Sequence, residues 1–285
     1  MERYTSLMID IKNSRKYNDE IRNFVQYYTK DCINCLNKAF KPSLAKEVVF
    51  SAGDELQGLF YSTQGAILYL NLLEIYLAPV ELRAGIGIGQ WSVIIEPGPS
   101  TEQDGSTYHN SRVALNYSHK SQINNICVFS ENRKNEFLTS SINISSALIG
   151  RQTELQNIIT MMIELVYPLI YRDEIDFTEY KVLFNLIEKK IELLSIINMR
   201  KNYYPSRTQL PRINVNKMMI CEPAIISEAD GEIEDAIWKW GTVANLVELL
   251  NKPRQNIDNS IKLGRVMQIR YNKAVSLLMA EMLGR

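Results

Sequence analysis

Two apolar runs of strand length flank a Gly-Asp pair in VVFSAGDELQGLF, Val48 to Phe60, and this stretch constrains the fold more than any other. Gly-Asp between such runs specifies a tight hairpin turn, so EVVFS and ELQGLFYS read as antiparallel strands joined at Ala52, Gly53 and Asp54. A second acid, Glu55, follows directly. Carboxylates beside a buried sheet are costly unless paired or metal-bound. Either the acids cap the turn, or they share a cation with a group from elsewhere in the chain.

The neighbouring elements decide what meets the hairpin. YTSLMIDI, Tyr4 to Ile11, reads as a strand whose end carries Asp10. Ile21, Phe24, Val25, Tyr28, Cys32, Cys35, Leu36 and Phe40 recur at three- and four-residue spacings and predict a helix from about Asn18 to Phe40. Gln64 to Leu77 predicts a second helix, stopped before Pro79. VELRAGIGIGQW, Val80 to Trp91, reads as a strand with alternating Gly85, Gly87 and Gly89. The spacing is wrong for a dinucleotide fingerprint and no helix follows directly; it predicts a helix packed closely over the strand. A helix from Tyr108 to His119 and a strand from Asn124 to Glu131 complete the series. That order is expected of an α+β domain with helices on one face of its sheet, related to the ferredoxin-like palm.

Beyond Glu131 helical periodicity takes over, with long helices expected over Asn135 to Tyr171 and Phe177 to about Lys201. Glu222 to Asp235 holds six acids and no base and reads as a linker. The expected units are therefore 1–131, a helical middle 132–221, a linker 222–237 and a terminal module 238–285. From Trp238 to Arg285 there are eight Lys or Arg against three acids, so a chain with 32 basic and 32 acidic side chains ends in a basic module. GTVANLVELLNKPRQNIDNSIKLGR, Gly241 to Arg265, has helix-turn-helix spacing. Leu246, Leu249 and Leu250 line its first helix, Asn251 occupies the turn, and Ile257 and Ile261 seat the second. Arg254, Gln255, Asn256 and Asn259 then face outward, a set suited to reading base edges of double-stranded DNA, with Lys262 and Arg265 on phosphate. The same geometry also serves protein contacts and dimerisation.

The first domain resembles palm-type nucleotidyl transferases, in which an aspartate ending the first strand and another on the following hairpin turn share a metal ion. Strand ends about 4.8 Å apart would bring Asp10 and Asp54 within reach of one Mg²⁺ or Mn²⁺, with the Ile11 carbonyl as a further oxygen ligand. Here the chain resembles known families. AGDEL, Ala52 to Leu56, is similar to the GGDEF signature of diguanylate cyclases, and IDIKNSRKYND resembles the first-strand motif of that family, with Lys12 and Ser14 replacing its usual acid and aromatic. LRAGIGIG, Leu82 to Gly89, is similar to the fourth strand of class III adenylate and guanylate cyclases, and DGSTYHNSRVAL to their segment in which a glycine leads into a helix bearing Asn and Arg. Over its whole length the chain resembles the SatD family, in which a cyclase-like N-terminal region precedes a C-terminal helix-turn-helix.

These resemblances imply a palm of nucleotidyl cyclase type. Asp10 and Asp54 would bind metal, Glu55 would assist the metal or the transition state, and Asn18 with Asp19 would read a nucleobase edge. Ser14, Arg15 and Lys16, with Arg112, would hold phosphates of ATP or GTP. Asn18 and Asp19 also suit the N-cap of the first helix, which is the simpler account of the pair. Two functions follow as expectations. One is a metal-dependent cyclase or cyclic-dinucleotide synthase releasing pyrophosphate, working as a homodimer in bacterial signalling or phage defence. The other is a nucleotide-sensing DNA-binding regulator without turnover.

No apolar run approaches the roughly 18 residues of a membrane span, so a cytoplasmic protein with no membrane partner is expected. Two histidines and four cysteines, Cys32, Cys35, Cys127 and Cys221, are too few and too scattered for a zinc site and are expected in the core.

Overall fold

The structure, a computed structural model, describes residues 2–131, 133–200, 213, 220, 222–229 and 232–284. Cys221, and the parts of the expected segments at Lys201, Asp230, Gly231 and Arg285, lie outside the described residues.

Strand β1 (Tyr4–Ile11) is followed by α1 (Asp19–Ala39), the hairpin β2 (Leu44–Ala52) and β3 (Glu55–Phe60), and α2 (Thr63–Leu77). Then come β4 (Leu82–Gly89), α3 (Ser106–Lys120), β5 (Ile126–Ser130) and the short β6 (Arg133–Lys134). The strands form one mixed sheet in the order β2-β3-β1-β4-β5-β6. β1 lies between two antiparallel neighbours, and β4 pairs with β5 in parallel. Gly53 supplies the left-handed residue, φ 62°, that closes the hairpin in two residues.

The two faces of the sheet are dressed differently. Ala84, Ile86 and Ile88 of β4, with Leu7 and Ile9 of β1, belong to the large core cluster that also holds the apolar faces of α1 and α2. Alternation turns the glycines to the opposite face, where α3 lies against them. A Cβ on Gly85 would stand 2.1 Å from the Ser111 carbonyl oxygen, and one on Gly87 2.1 Å from the Ser111 nitrogen. The helix expected over the glycine strand is thus α3. It sits on the other side from α1 and α2, which corrects the expectation of helices on one face. Small polar residues make the close approach: Ser6 and Ser111 hydroxyls are 2.9 Å apart, and Thr107 Oγ1 accepts the Ser6 N–H at 2.8 Å and donates to the Gly87 carbonyl at 2.8 Å.

The chain continues as α4 (Glu136–Ile149), α5 (Glu154–Val166), β7 (Leu169–Ile170), α6 (Leu186–Arg200), β8 (Ala224–Ile225), α7 (Ile233–Ala236), α8 (Thr242–Leu250), α9 (Arg254–Leu263) and α10 (Val266–Gly284). The single helix expected over Asn135 to Tyr171 is therefore two helices and a strand. Thr153 and Gln156 form a reciprocal capping box, which starts a new helix where periodicity alone suggested continuation. The expected helix from Phe177 begins later, because Tyr180–Asn185 is a 3-10 turn. Part of the acidic segment is packed: β8 pairs with β7, and Ala224 and Ile226 are buried. Helix α10 lies against α4, where Ser141 and Ser276 hydroxyls stand 2.9 Å apart, and the large core cluster runs from β1 to Ala280. The free Cys32 and Cys127 are buried and Cys35 is half-buried, as core thiols. No helix among the described residues is long and apolar enough to cross a membrane.

Candidate functional site

Register brings the predicted acids together. Asp10 is directly opposite Glu55 across β1 and β3, and opposite Arg83 across β1 and β4. Directly paired residues of antiparallel strands project from the same face, here the face of α3, which contributes Arg112 and His119. Arg112 grips Glu55 through two hydrogen bonds of 2.5 and 2.7 Å, and the Ser51 hydroxyl donates to Glu55 Oε1 at 2.9 Å. His119 Nε2 is 3.5 Å from Asp10 Oδ2, and its Nδ1 is 3.3 Å from an Arg83 guanidinium nitrogen. Asp54, on the turn, is near enough to act on Asp10 through its charge. The result is a half-open cluster of three acids, two arginines and a histidine at one end of the sheet.

Its electrostatics separate the two paired acids. Burial pushes the Asp10 carboxyl up, and the like charge of Asp54 pushes it further, against the opposing pull of His119 and Arg83. For Glu55, burial also acts upward, but the hydrogen bonds from Arg112 and Ser51 outweigh it and hold the group below its ordinary value. Glu55 is satisfied by its neighbours; Asp10 is not.

The other expected contacts are distributed unevenly. Ser14, Arg15 and Lys16 form a short 3-10 turn leaving the same end of β1 as Asp10, with Arg15 and Lys16 exposed. Asn18 Oδ1 accepts the Ile21 N–H at 3.0 Å and so acts as the N-cap of α1, with Asp19 in its first turn. Arg83 and His119 are members that reading the sequence missed. Arg83 continues the alternation of Gly85, Gly87 and Gly89, and His119 stands seven residues, two helical turns, after Arg112; both signals were present but needed the pairing of strands to be noticed. Among the described residues, no three His, Cys, Asp or Glu side chains are grouped as metal ligands.

In the terminal region, Leu246, Leu249, Leu250, Ile257 and Ile261 are buried, and Asn251 takes the left-handed conformation between α8 and α9. Arg254, Gln255, Asn256, Asn259, Lys262 and Arg265 are exposed. Arg254 Nε is 3.6 Å from Asp258 on the same helix, a pair that moderates the basic face.

The sequence model described as the SatD family matches residues 4–193. No curated protein matches the chain. A solved structure described as a bacterial light-regulated adenylyl cyclase is similar at 16% identity, covering 44% of this chain and 74% of that one, with a TM-score of 0.32.

Proposed function

The chain belongs to the SatD family, and from that premise we propose that it is a signalling protein whose N-terminal region binds a nucleotide and whose C-terminal helices bind DNA, the first adjusting the second without turnover. The observation that carries this reading is the two-pronged Arg112–Glu55 bridge. It commits the best-placed phosphate-binding cation and one of the three acids to each other, which suits a site that exchanges partners on binding better than one poised for chemistry. The strand order β2-β3-β1-β4 supports a ferredoxin-like palm. The outward set on α9 supports a helix-turn-helix reading double-stranded DNA.

A second reading, the Mg²⁺- or Mn²⁺-dependent cyclase or cyclic-dinucleotide synthase, is favoured by Asp10. A half-buried carboxyl raised by its own burial and by a neighbouring acid is relieved by a hard cation. Asp10 and Asp54 fit such an ion; Glu55, already hydrogen-bonded on both oxygens, does not. A bound ion would supply charge neutralisation for triphosphate oxygens. In that reading Ser14, Arg15 and Lys16 contact phosphate, and a homodimer completes the site.

Two measurements on the full chain decide. The first is duplex-DNA affinity by fluorescence anisotropy at several salt concentrations, with and without ATP or GTP. The second is mass spectrometry of products after incubation with all four NTPs and either metal. The regulator is expected to bind DNA with a negative salt slope, to change affinity on adding nucleotide, and to leave the NTP intact. Pyrophosphate and a cyclic product that vanish in Asp54→Ala would establish the cyclase instead. DNA binding that is absent or insensitive to salt removes the regulator.

A further inference from the structure

A second polar site lies across the sheet from Arg83. A cavity of about 240 Å³ at the start of β4 is lined by Glu74, Glu81, Asn125, Ser146, Gly150 and Arg151, among others. Liquid water takes ~30 Å³ per molecule and drug-sized pockets begin near ~300 Å³. The space therefore suits a molecule the size of an amino acid.

Glu74 is the unusual member. Its residue is only 7% exposed, its Oε1 accepts the Ser146 hydroxyl at 2.5 Å, and its Oε2 is buried without a hydrogen-bond partner. A buried polar atom left so calls for an occupant or a water. Glu74 also stands in the last turn of α2, and Ser146 in the last turn of α4, and neither turn holds a basic residue. Helix C-termini carry partial negative charge, so a carboxylate there is doubly disfavoured unless a cation joins it.

Two of the neighbouring cations are committed elsewhere. Lys190 Nζ donates to the carbonyls of Ile75, Tyr76 and Ala78. Lys12 pairs with Glu81 at 2.6 Å and donates to Asn125 at 3.3 Å. Lys273 on α10 attracts the carboxylate through its charge and lies 3.4 Å from Glu164, but its buried Nζ has no hydrogen-bond partner and so leaves the second Glu74 oxygen unpaired. Burial prevails and pushes Glu74 up to about 7, against the Ser146 hydrogen bond and the Lys273 charge. Arg151, exposed, is the positive group of the lining.

We propose that this cavity binds a small zwitterion, its ammonium group seated on Glu74 and its anionic group on Arg151. A bare metal ion would leave most of the volume unfilled, and a simple amine would leave Arg151 facing another cation. A zwitterion meets both charges. The site is independent of the Asp10 cluster, so the proposal stands apart from the reading of nucleotide and DNA binding.

The test is calorimetric titration of the full chain with glycine, β-alanine and γ-aminobutyrate, with ethylammonium and propionate as single-charge controls at matched ionic strength. At least one zwitterion is expected to bind saturably and more tightly than either control. Glu74→Gln is expected to weaken it about tenfold or more, and Arg151→Ala about fivefold, as charge-assisted hydrogen bonds are lost. Gly150→Leu provides a variant that leaves Glu74 untouched: a Cβ there meets only the Ser146 and Ala147 carbonyl oxygens, at 3.5 and 3.9 Å, so the backbone accommodates it while the larger side chain enters the cavity. It is expected to abolish binding with the fold preserved by circular dichroism. Absence of saturable binding by all three zwitterions overturns the proposal. So does binding unchanged in Gly150→Leu, or ethylammonium binding as tightly as the zwitterions and indifferent to Arg151→Ala.

Discussion

At the residue scale, the Glu55–Arg112 bridge is the part of the candidate site whose energetics can be isolated. Both partners are partly exposed, with side-chain exposures of 20% and 44%, so solvent screening reduces what the charges contribute. A double-mutant cycle with Glu55→Gln and Arg112→Ala, read by urea denaturation, is expected to give a coupling of about 1 kcal/mol at neutral pH. The sign of its pH dependence follows from Glu55 being held below its ordinary value. The coupling is complete above the carboxylate's unfolded pKa and fades as pH falls through the lowered folded value. A coupling that instead grew toward acid pH would rule out the bridge as its source. Reading the sequence brought Asp10 and Asp54 together because strand ends and turn chemistry leave few alternatives, and the resemblance to cyclases added Glu55 and Arg112. It paired Arg112 with phosphate, whereas in the structure the guanidinium is bound to Glu55; a bidentate contact between α3 and β3 depends on side-chain reach over 57 residues of separation.

Elements differ in how openly the sequence announces them. The hairpin and β4 were legible because their local chemistry is self-sufficient: a Gly-Asp turn closes in two residues, and three alternating glycines permit only a close neighbour. The break between α4 and α5 was missed although the Thr153 to Gln156 capping box was in view, since apolar residues continue on both sides of it. The glycine face makes a firm prediction. Gly87→Ala places a methyl 2.1 Å from the Ser111 nitrogen and 2.3 Å from the Thr107 carbonyl oxygen, both backbone atoms that cannot rotate away. Overpacking of that kind displaces α3 and is expected to cost about 3 kcal/mol, measured as a fall in the denaturation midpoint. Gly53→Ala, which meets no atom within 4 Å, suffers only from its left-handed backbone, φ 62°. Its expected cost is about 1 kcal/mol. Equal losses at the two positions would show that α3 is not seated by the glycines.

For the molecule as a whole, a buried charge cluster ties the late helices to the earlier ones. Arg270 of α10 donates to Glu164 of α5 at 2.9 Å and to the Ile237 carbonyl at 2.9 Å, and Lys273 lies 3.4 Å from the same carboxylate. All three residues are nearly inaccessible to solvent. Removing one member leaves charge stranded in the interior, so Glu164→Ala is expected to destabilise by about 3–5 kcal/mol. Because one apolar cluster runs through both regions, the loss should appear as a single earlier unfolding transition in calorimetry; a separate early transition confined to the C-terminal helices would contradict this coupling. By itself the sequence determined the order of strands and helices to β5, the hairpin with its acids, the core identity of Cys32 and Cys127, and the buried and exposed faces of α8 and α9. These follow from periodicity and turn chemistry, which act over a few residues. Only the tertiary structure decided that α3 lies opposite α1 and α2, that Arg83 and His119 join Asp10, and that Glu74 faces a cavity, because each depends on packing between segments far apart in the chain, where no local pattern records the partner.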